Sequence, residues 1–444
     1  MLFKNYNDLI LNGSTPTLQQ KRKDVLAMLA AAVDAVRPSR IIKDLFHGSA
    51  LVFPSETFDL SSFDHLYLVG FGKASVGMAQ AVCDTVAVSE GVVITNDSTA
   101  KVTHSKIDTI IGGHPLPNEE NLQGTEKILG LLHNCTENDC VVVVISGGGS
   151  SLFCKPRIPL SDLQRTMDLL LRSGATIDEV NTIRKHLSMV KGGHLVEQTK
   201  AVVLSLIISD VVHDSIPSIA SGPTSPDPTT FSDAKQILQR YNLWEKIPTV
   251  VHSVLHDGIQ GRIPETLKEN DPAFTRVFNF IIGNNDRACE GALTKARALG
   301  YDATIGTTSM TGEARVVGRS LIKKIKNDHS EKNSVLIIGG ETTVKVQGDG
   351  IGGRNQEFVL SCVEEVAGTD IVLASFATDG IDGNSDAAGA LADGFTYARA
   401  VEKKLNHSHF LEKNNSYVFF HTLGDVLSTG FTGTNVMDIQ IVIR

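Results

Sequence analysis

Five consecutive β-branched residues at positions 141–145 run directly into the segment Ser-Gly-Gly-Gly-Ser-Ser at 146–151. An apolar run without polar alternation indicates a strand that is buried on both faces, as in a parallel sheet. Three consecutive glycines at the end of such a strand allow a sharp turn and let backbone N–H groups approach a ligand closely. A helix after the glycines would add positive partial charge at its N-terminus. This segment predicts an α/β enzyme that binds a phosphorylated ligand.

Strand and helix patterns alternate along nearly the whole chain. The first pattern predicts a helix over 17–36 that stops near Pro38. Short apolar runs then predict strands at 66–72, 92–95, 108–113, 141–146, 202–209, 278–284, 301–307, 334–346, 371–378, 417–423 and 436–443. The helical patterns between the early strands are typical of a doubly wound, mainly parallel sheet.

A chain of 444 residues is too long for one ordinary core, so two domains are expected. A polar, proline-containing segment at 258–275 predicts the change of domain. We therefore expect an N-terminal α/β domain with a Rossmann-like sheet over 1–257 and a second α/β domain over 276–444. The opening helix could pack on either domain.

Composition excludes several classes of protein. The chain carries 41 Lys and Arg against 50 Asp and Glu, a net charge of −9, and it has no basic run, which argues against nucleic-acid binding. No apolar run approaches about 18 residues, and the first residues lack signal-peptide and transit-peptide patterns, so no membrane partner and a cytoplasmic location are expected. The six cysteines show no zinc-site spacing.

A lysine follows the predicted strand at 66–72, in the segment Gly-Phe-Gly-Lys-Ala-Ser-Val-Gly at 70–77. The segment fits neither the P-loop pattern nor the dinucleotide fingerprint, because Ala74 follows the lysine and Ser75 stands where the third glycine belongs. With both patterns excluded, the segment predicts that Lys73 lies on the first turn of a helix, where it could bind a phosphate. The alternative is a surface lysine beside a packing turn.

Polar residues follow other predicted strands. His114 either contacts substrate as an acid or base, or caps the helix that begins near Asn118. Asp210 and Asp379 end strands at the edge of a parallel sheet where ligands bind, so they are candidates for holding Mg²⁺ or for accepting a hydroxyl proton. The carboxylates after Asp379 only partly mimic a calcium loop and are otherwise explained as turn and cap residues.

Arg354 lies in the second half on a loop with four glycines at 348–353. Its planar fork of donors suits carboxylate or phosphate oxygens, although a structural ion pair is the alternative. Supporting candidates at other strand ends and helix starts are Asn284, Asn285 and Glu313. Together with Lys73, the glycine loop and the two aspartates, Arg354 supplies what phosphoryl transfer requires: cations, a metal bridge and a base.

Several long segments make the chain resemble the glycerate 2-kinases of the MOFRL type, from about residue 20 to the C-terminus. The matching segments are GFGKASVGMA, GGHPLPNEENLQG, SGGGSS, TIDEVNTIRKHLSMVKGG, ISDVVHDSIPSIASGPTSPDPTTF, GGETTV, GGRNQE, ATDGIDGNSDAAG and TGTNVMDIQI. The resemblance implies an ATP- and Mg²⁺-dependent kinase that makes 2-phosphoglycerate from D-glycerate in a cleft between two α/β domains. It also implies that Lys73 and Arg354 are catalytic. The chain departs from the family at Phe431, where a proline is common.

We predict that Lys73 and Arg354 neutralise the transferring phosphoryl group, and that Asp210 and Asp379 serve as metal ligand and base. The predicted ligand-binding residues are Ser146, Gly147, Gly148, Gly149, Ser150, His114, Asn284, Asn285 and Glu313. A homodimer is possible. One alternative is an NAD(P)H-dependent hydroxypyruvate or tartronate semialdehyde reductase, for which Asp97 would mimic the ribose-binding acid. Another is a non-catalytic sensor of sugar acids or phosphates.

Overall fold

The computed structural model describes residues 1–327 and 333–444. Its strands are β1 Phe46–His47, β2 Ala50–Val52, β3 Thr57–Asp59, β4 Leu66–Phe71, β5 Glu90–Thr95, β6 Ile107–Ile111, β7 Cys140–Ile145, β8 Val202–Ile208, β9 Val277–Gly283, β10 Asp302–Met310, β11 Ser334–Gly340, β12 Val372–Ala377, β13 Gly389–Asp393, β14 Val426–Leu427 and β15 Asp438–Ile443. Its α-helices are α1 Tyr6–Leu11, α2 Pro16–Ala35, α3 Pro38–Leu45, α4 Ser75–Cys83, α5 Glu119–His133, α6 Gly149–Leu152, α7 Leu160–Arg172, α8 Ile177–His186, α9 Phe231–Arg240, α10 Thr249–Ile259, α11 Asn285–Ala298, α12 Ala314–Asn327, α13 Arg354–Cys362, α14 Thr396–Glu402, α15 His407–Glu412 and α16 Ser416–Leu423. Within these residues, no helix combines the length and the hydropathy that crossing a bilayer requires.

The chain divides into two compact units. The central unit comprises Ile41–Ile282, and the terminal unit comprises Met1–Arg40 together with Gly283–Arg444. The expected domains, 1–257 and 276–444, differ from these units at both ends. Residues 258–282 stay in the central unit because β9 adds a strand to its sheet. The opening helix α2 packs on α11 in the terminal unit.

The central unit contains a six-stranded sheet in the order β6-β5-β4-β7-β8-β9. The pairings of β4 with β5, β4 with β7, β5 with β6 and β7 with β8 are parallel. In chain order this is 3-2-1-4-5-6, the order of a doubly wound sheet, whose ligands bind at the point where the order reverses. That point lies between β4 and β7, where Phe71 is level with Ile145, so the loops after these two strands leave the sheet side by side. The predicted fold class is confirmed for this unit.

The terminal unit contains a mixed six-stranded sheet in the order β10-β11-β15-β12-β13-β14. β10 and β11 pair in parallel, whereas β15 runs antiparallel to both β11 and β12. Asp438, the first residue of β15, is level with Gly340 at the end of β11 and with Ala377 at the end of β12. The loops that follow β11 and β12 therefore meet the start of β15 at one sheet edge.

Two sequence-based predictions of secondary structure are corrected in the terminal unit. The run at 417–423, predicted as a strand, is the helix α16, which buries Phe419, Phe420 and Leu423 and ends at Gly424 with φ +75°. The spacing of these buried residues fits one face of a helix as well as an apolar strand, and tertiary packing decides between them. The strand predicted at 334–346 ends at Gly340.

A buried ion cluster fastens α2 to the terminal sheet. Arg22 is fully buried and its guanidinium lies 2.6 Å from Asp393 and 2.8 Å from Asp425. Arg22→Ala is expected to lower the free energy of unfolding by about 3 kcal/mol or more, because the buried Asp393 would lose its hydrogen-bonded cation and keep only Arg399, at 4.0 Å. Arg40→Ala, which removes an exposed ion pair with Asp34, is the control and should cost about 0–1 kcal/mol. Equal losses in urea unfolding would contradict this assignment.

Candidate active site

The loops after β4 and β7 are joined by two hydrogen bonds and by the close approach of Gly72 to Ser146. The Lys73 N–H donates to the Gly147 carbonyl at 2.8 Å, and the Ala74 N–H donates to the Ser146 hydroxyl at 3.0 Å. Gly72 has φ +130°, and a Cβ there would lie 2.2 Å from the Ser146 Oγ. The Ser146 side chain is buried and joins the two loops, so its hydroxyl supports the loop geometry instead of facing a ligand.

Lys73 and His114 both lie against Gly148. A Cβ added to Gly148, which has φ +84°, would lie 3.2 Å from the His114 Nε2 and 3.3 Å from the Lys73 Cγ. The glycine therefore provides both the left-handed turn and the space that the two side chains fill. The loop after β4 thus carries Lys73 to the same point as the loops after β6 and β7.

His114 does not cap the helix that follows it. Asn118 is the N-cap of α5, in a capping box with Asn121. The buried Asn121 amide also accepts from the Gly113 N–H at 2.7 Å and donates to the Ser151 carbonyl at 3.0 Å. This amide ties the His114 loop to the glycine loop.

The backbone of the glycine loop presents several N–H groups. The Gly149 N–H donates to the Ser146 carbonyl at 3.2 Å. In contrast, the amides of Gly147, Gly148 and Ser150 donate to no acceptor among the residues that the structure describes. Of the backbone amides in the predicted ligand-binding loop, these three are available to a ligand, whereas the amide of Gly149 is hydrogen-bonded within the loop.

A cavity of about 410 Å³ opens beside the glycine loop within the central unit. Its wall includes His114, Gly148, Ser150 and Asp210, which were all predicted as site residues. The structure therefore brings four of the predicted residues to one cavity, with Lys73 against its Gly148 wall. Much of the remaining wall is apolar and comes from α7 and α8, a composition typical of small-molecule sites.

The long loop after β8 is held in an unusual conformation at this cavity. Four of its non-glycine residues have positive φ: His213, Asp214, Ala220 and Ser221. Such conformations cost about 1–3 kcal/mol each and cluster at functional sites. The loop is fixed because the Ser221 hydroxyl is 2.8 Å from that of Ser150 and donates to Asn181 at 3.1 Å.

The cavity wall also contains two cations that the sequence analysis did not single out, Arg184 and Lys191. Both lie in the segment 176–193, which was noted only as part of a family resemblance. Charged residues in a helical pattern usually mark a solvated face, and nothing in the spacing distinguishes these two.

In the terminal unit, Arg354 is the first residue of α13 and is held by two carboxylates. Its Nε and Nη2 lie 2.6 Å and 2.9 Å from the two oxygens of the buried Asp438, and its Nη1 lies 2.9 Å from Glu341. Burial disfavours the charge, but Asp438 and Glu341 outweigh burial and raise the pKa of Arg354. Three of the five guanidinium N–H groups are engaged, which leaves two for an anion. Sequence analysis missed Asp438, whose only signal is an acid at the start of an apolar strand.

Two aspartates follow β12 at the same sheet edge, with different roles. Asp382 is buried and accepts from the backbone N–H groups of Asn355 and Gln356, so it satisfies the first turn of α13 from a neighbouring segment. Burial and the nearby charge of Asp438 raise the pKa of Asp382 to about 6. Asp379 is half-buried and accepts from the Ile381 N–H at 3.1 Å.

The three supporting candidates of the terminal unit have structural contacts. The buried Asn285 amide donates to the carbonyls of Val436 and Asp438, and Asn284 caps α11 by accepting from the Arg287 N–H. Glu313 lies 3.4 Å from Arg315 just before α12. The Asn285 amide donates to the backbone around the start of β15, so its role is to hold this strand in place.

No group of three or more His, Cys, Asp or Glu side chains in residues 1–327 and 333–444 could hold a metal ion. Asp210 and Asp379 belong to different units and each offers one carboxylate. Mg²⁺ commonly binds proteins through one or two carboxylates and completes its shell with phosphate oxygens and water. The residues present therefore fit Mg²⁺ that arrives with a nucleotide.

Two family models match the chain: one described as a domain of unknown function, DUF4147, over residues 24–256, and the MOFRL family over residues 334–438. A curated protein of Pyrococcus horikoshii, named glycerate 2-kinase, is 41% identical over 94% of this chain and 96% of its own length. The crystal structure of a glycerate kinase from Thermotoga maritima matches with a TM-score of 0.84 and 36% identity, covering 96% of this chain and 99% of that one. A relative from Agrobacterium vitis, 38% identical over 85% of this chain and 86% of its own length, carries the name of a hydroxypyruvate reductase.

Proposed function

The chain belongs to the MOFRL family of glycerate 2-kinases, and we propose that it transfers the γ-phosphoryl group of ATP to the 2-hydroxyl of D-glycerate. A P–O bond forms to the glycerate oxygen, which gives up its proton, and the bond to the β-phosphate breaks to release ADP. The observation that best supports this proposal is the convergence of Lys73, His114 and free backbone amides at Gly148.

Lys73 and the amides of Gly147, Gly148 and Ser150 form the phosphate-binding part of the proposal. Phosphoryl transfer needs little covalent chemistry from the protein, so positioning and charge neutralisation carry most of the catalysis. Backbone amides on a fastened loop need no reorganisation when charge develops, which makes them effective donors. We assign His114 to hydrogen bonding with the transferring group or the acceptor.

Arg354 supplies the second cation of the proposal. Its contacts with Asp438 and Glu341 fix the guanidinium plane, so the two N–H groups that remain point in set directions. A fixed fork loses less entropy on binding an anion than a mobile side chain does. Arg354 would thus stabilise the charge on the phosphoryl oxygens.

Asp210 and Asp379 are proposed as metal ligand and base. Mg²⁺, bound through one of these carboxylates, would neutralise charge on the β- and γ-phosphates. The other carboxylate would accept the proton of the 2-hydroxyl. A cytoplasmic location and a homodimer remain predictions from the sequence.

A coupled assay of ADP formation tests the proposal against its alternatives. With ATP and Mg²⁺, turnover is expected with D-glycerate, and much weaker turnover with L-glycerate or glycerol. Oxidation of NADH on addition of hydroxypyruvate, without ADP formation, would favour the reductase. The loop after β4 argues against it, because Ser75 occupies the third glycine position and its hydroxyl bonds to the Gly72 carbonyl. Ligand binding without either reaction would favour the sensor.

Gly148→Ala tests the convergence point of the site. We expect kcat/KM to fall about 10–100-fold, because the new methyl group would displace His114 and Lys73. Gly174→Ala is the matched control, since Gly174 has φ +79° and no atom within 4 Å of its added Cβ. Both variants should lose about 1 kcal/mol of stability from backbone strain. Equal activities of the two variants would contradict the placement of the site.

A further inference from the structure

The side chain of Lys191 is buried and has no carboxylate partner among the residues that the structure describes. It is 2% exposed, lines the cavity of the central unit and donates to the Phe153 carbonyl at 2.6 Å. Arg184 lines the same cavity, and its Nη1 donates to the Asn181 side chain at 2.8 Å. Neither cation lies within ion-pair distance of an acid among residues 1–327 and 333–444. A buried charge without a counter-charge is costly, so proteins seldom retain one without a ligand.

The neighbouring groups do not supply the missing negative charge. The pKa of Lys191 falls to about 7, mainly through burial and in part through the nearby Arg184. Cys154 lies close to both cations, but burial raises the pKa of its thiol, so it stays neutral at neutral pH. Within the described part of the chain, the charged groups that act on the two side chains are Cys154 and, for Lys191, Arg184, and no carboxylate is among them. A bound anion would supply the negative charge that the protein does not place beside Arg184 and Lys191.

We propose that Arg184 and Lys191 bind the carboxylate of the hydroxy-acid substrate inside the central-unit cavity. This proposal rests on the proposed function and names the residues that would hold the acceptor substrate. A 2-hydroxy acid offers one monoanionic carboxylate and one hydroxyl donor. The cavity offers a cation pair for the first, and Asp210 and His114 for the second.

A nucleotide phosphate is the competing anion for this site. Lys73 and the amides of the glycine loop already serve a phosphate, and a polyanion would be repelled more strongly by Asp210 than a monoanion would. The planar fork of Arg184 matches a carboxylate well. The apolar wall around the cations, including Leu163 and Met167, lowers the local dielectric and strengthens a single close ion pair.

Lys191→Met and Arg184→Gln are the test variants, with Lys155→Met as the matched control. Lys155 lies next to Cys154 in the chain but pairs with Glu126 and does not line this cavity. We expect each test variant to raise KM for D-glycerate about 30-fold or more and to change KM for ATP less than threefold. The control should change neither. A rise in KM for ATP alone would assign the cations to the nucleotide and overturn the proposal.

Thermal unfolding of Lys191→Met separates a ligand role from a structural one. Removing an unpaired buried charge should raise the melting temperature of the ligand-free protein, although the hydrogen bond to Phe153 is lost. D-glycerate should then stabilise the wild type but not the variant. A lower melting temperature with unchanged KM for D-glycerate would show that Lys191 only supports the fold.

Calorimetric titration of D-glycerate without nucleotide distinguishes failure of this proposal from failure of the proposed function. If the wild type turns over D-glycerate and both variants keep its KM, the carboxylate site is wrong and the kinase stands. If the wild type has no turnover but binds D-glycerate, and both variants lose that binding, the carboxylate site stands without the kinase. Absence of D-glycerate binding to the wild type overturns the carboxylate site.

Discussion

Lys73→Met is expected to lower kcat about 10²–10³-fold and to change KM for D-glycerate less than threefold. Methionine keeps an unbranched stem against Gly148 but removes the charge that would neutralise the phosphoryl group. Loss of one preorganised donor to the charge that develops in the transition state typically costs this much. A fall in kcat at constant KM is the signature of an interaction made mainly in the transition state.

The control for Lys73→Met is Lys106→Met, which changes an exposed lysine of the same unit. Steady-state kinetics of both variants at saturating ATP and Mg²⁺ give the comparison. Lys73 would be removed from the mechanism if its variant kept kcat within threefold of the wild type with the fold intact.

Arg354→Gln is expected to lower kcat about 10²–10³-fold or more and also to destabilise the terminal unit. The activity falls because the phosphoryl charge loses a fixed cation, and arginine fingers contribute about 10³–10⁵ to kcat in GTPases. The stability falls because Asp438 remains buried without its bidentate partner.

The double variant Arg354→Gln/Asp438→Asn separates these two effects. Neutralising Asp438 as well should restore most of the melting temperature, because replacing both partners of a buried pair costs less than removing one. The double variant should nevertheless remain inactive. Recovered activity together with recovered stability would show that Arg354 only forms structural ion pairs. Its contacts with Asp438 and Glu341 are the basis of that alternative.

The sequence predicts the sheet of the central unit well because its strands are buried on both faces. Val141 and Val143 face one core cluster while their neighbours Val142 and Val144 are equally buried, so the apolar run is continuous. Glycines after β4 and β7 mark the loops, which is why Lys73 and the 146–150 segment could be found. The prediction of α16 as a strand was wrong, because eight residues are too few to separate the two periodicities.

Side chains whose role depends on distant packing could not be predicted. Arg184 and Lys191 are polar residues of an ordinary helical pattern until α7 and the loop after β8 enclose them. Asp438 gains its role only when β15 inserts between β11 and β12. Asn285 was predicted as a ligand-binding residue because it follows a strand, but its amide donates to backbone carbonyls around the start of β15.

Phosphorus NMR of the reaction with ATP, Mg²⁺ and D-glycerate shows whether the protein phosphorylates the 2-hydroxyl. We expect a resonance of 2-phosphoglycerate that grows as ADP forms, which identifies the reaction and the position of the phosphate together. A 3-phosphoglycerate product would contradict the assigned hydroxyl, and no phosphorylated product from folded protein would contradict the kinase.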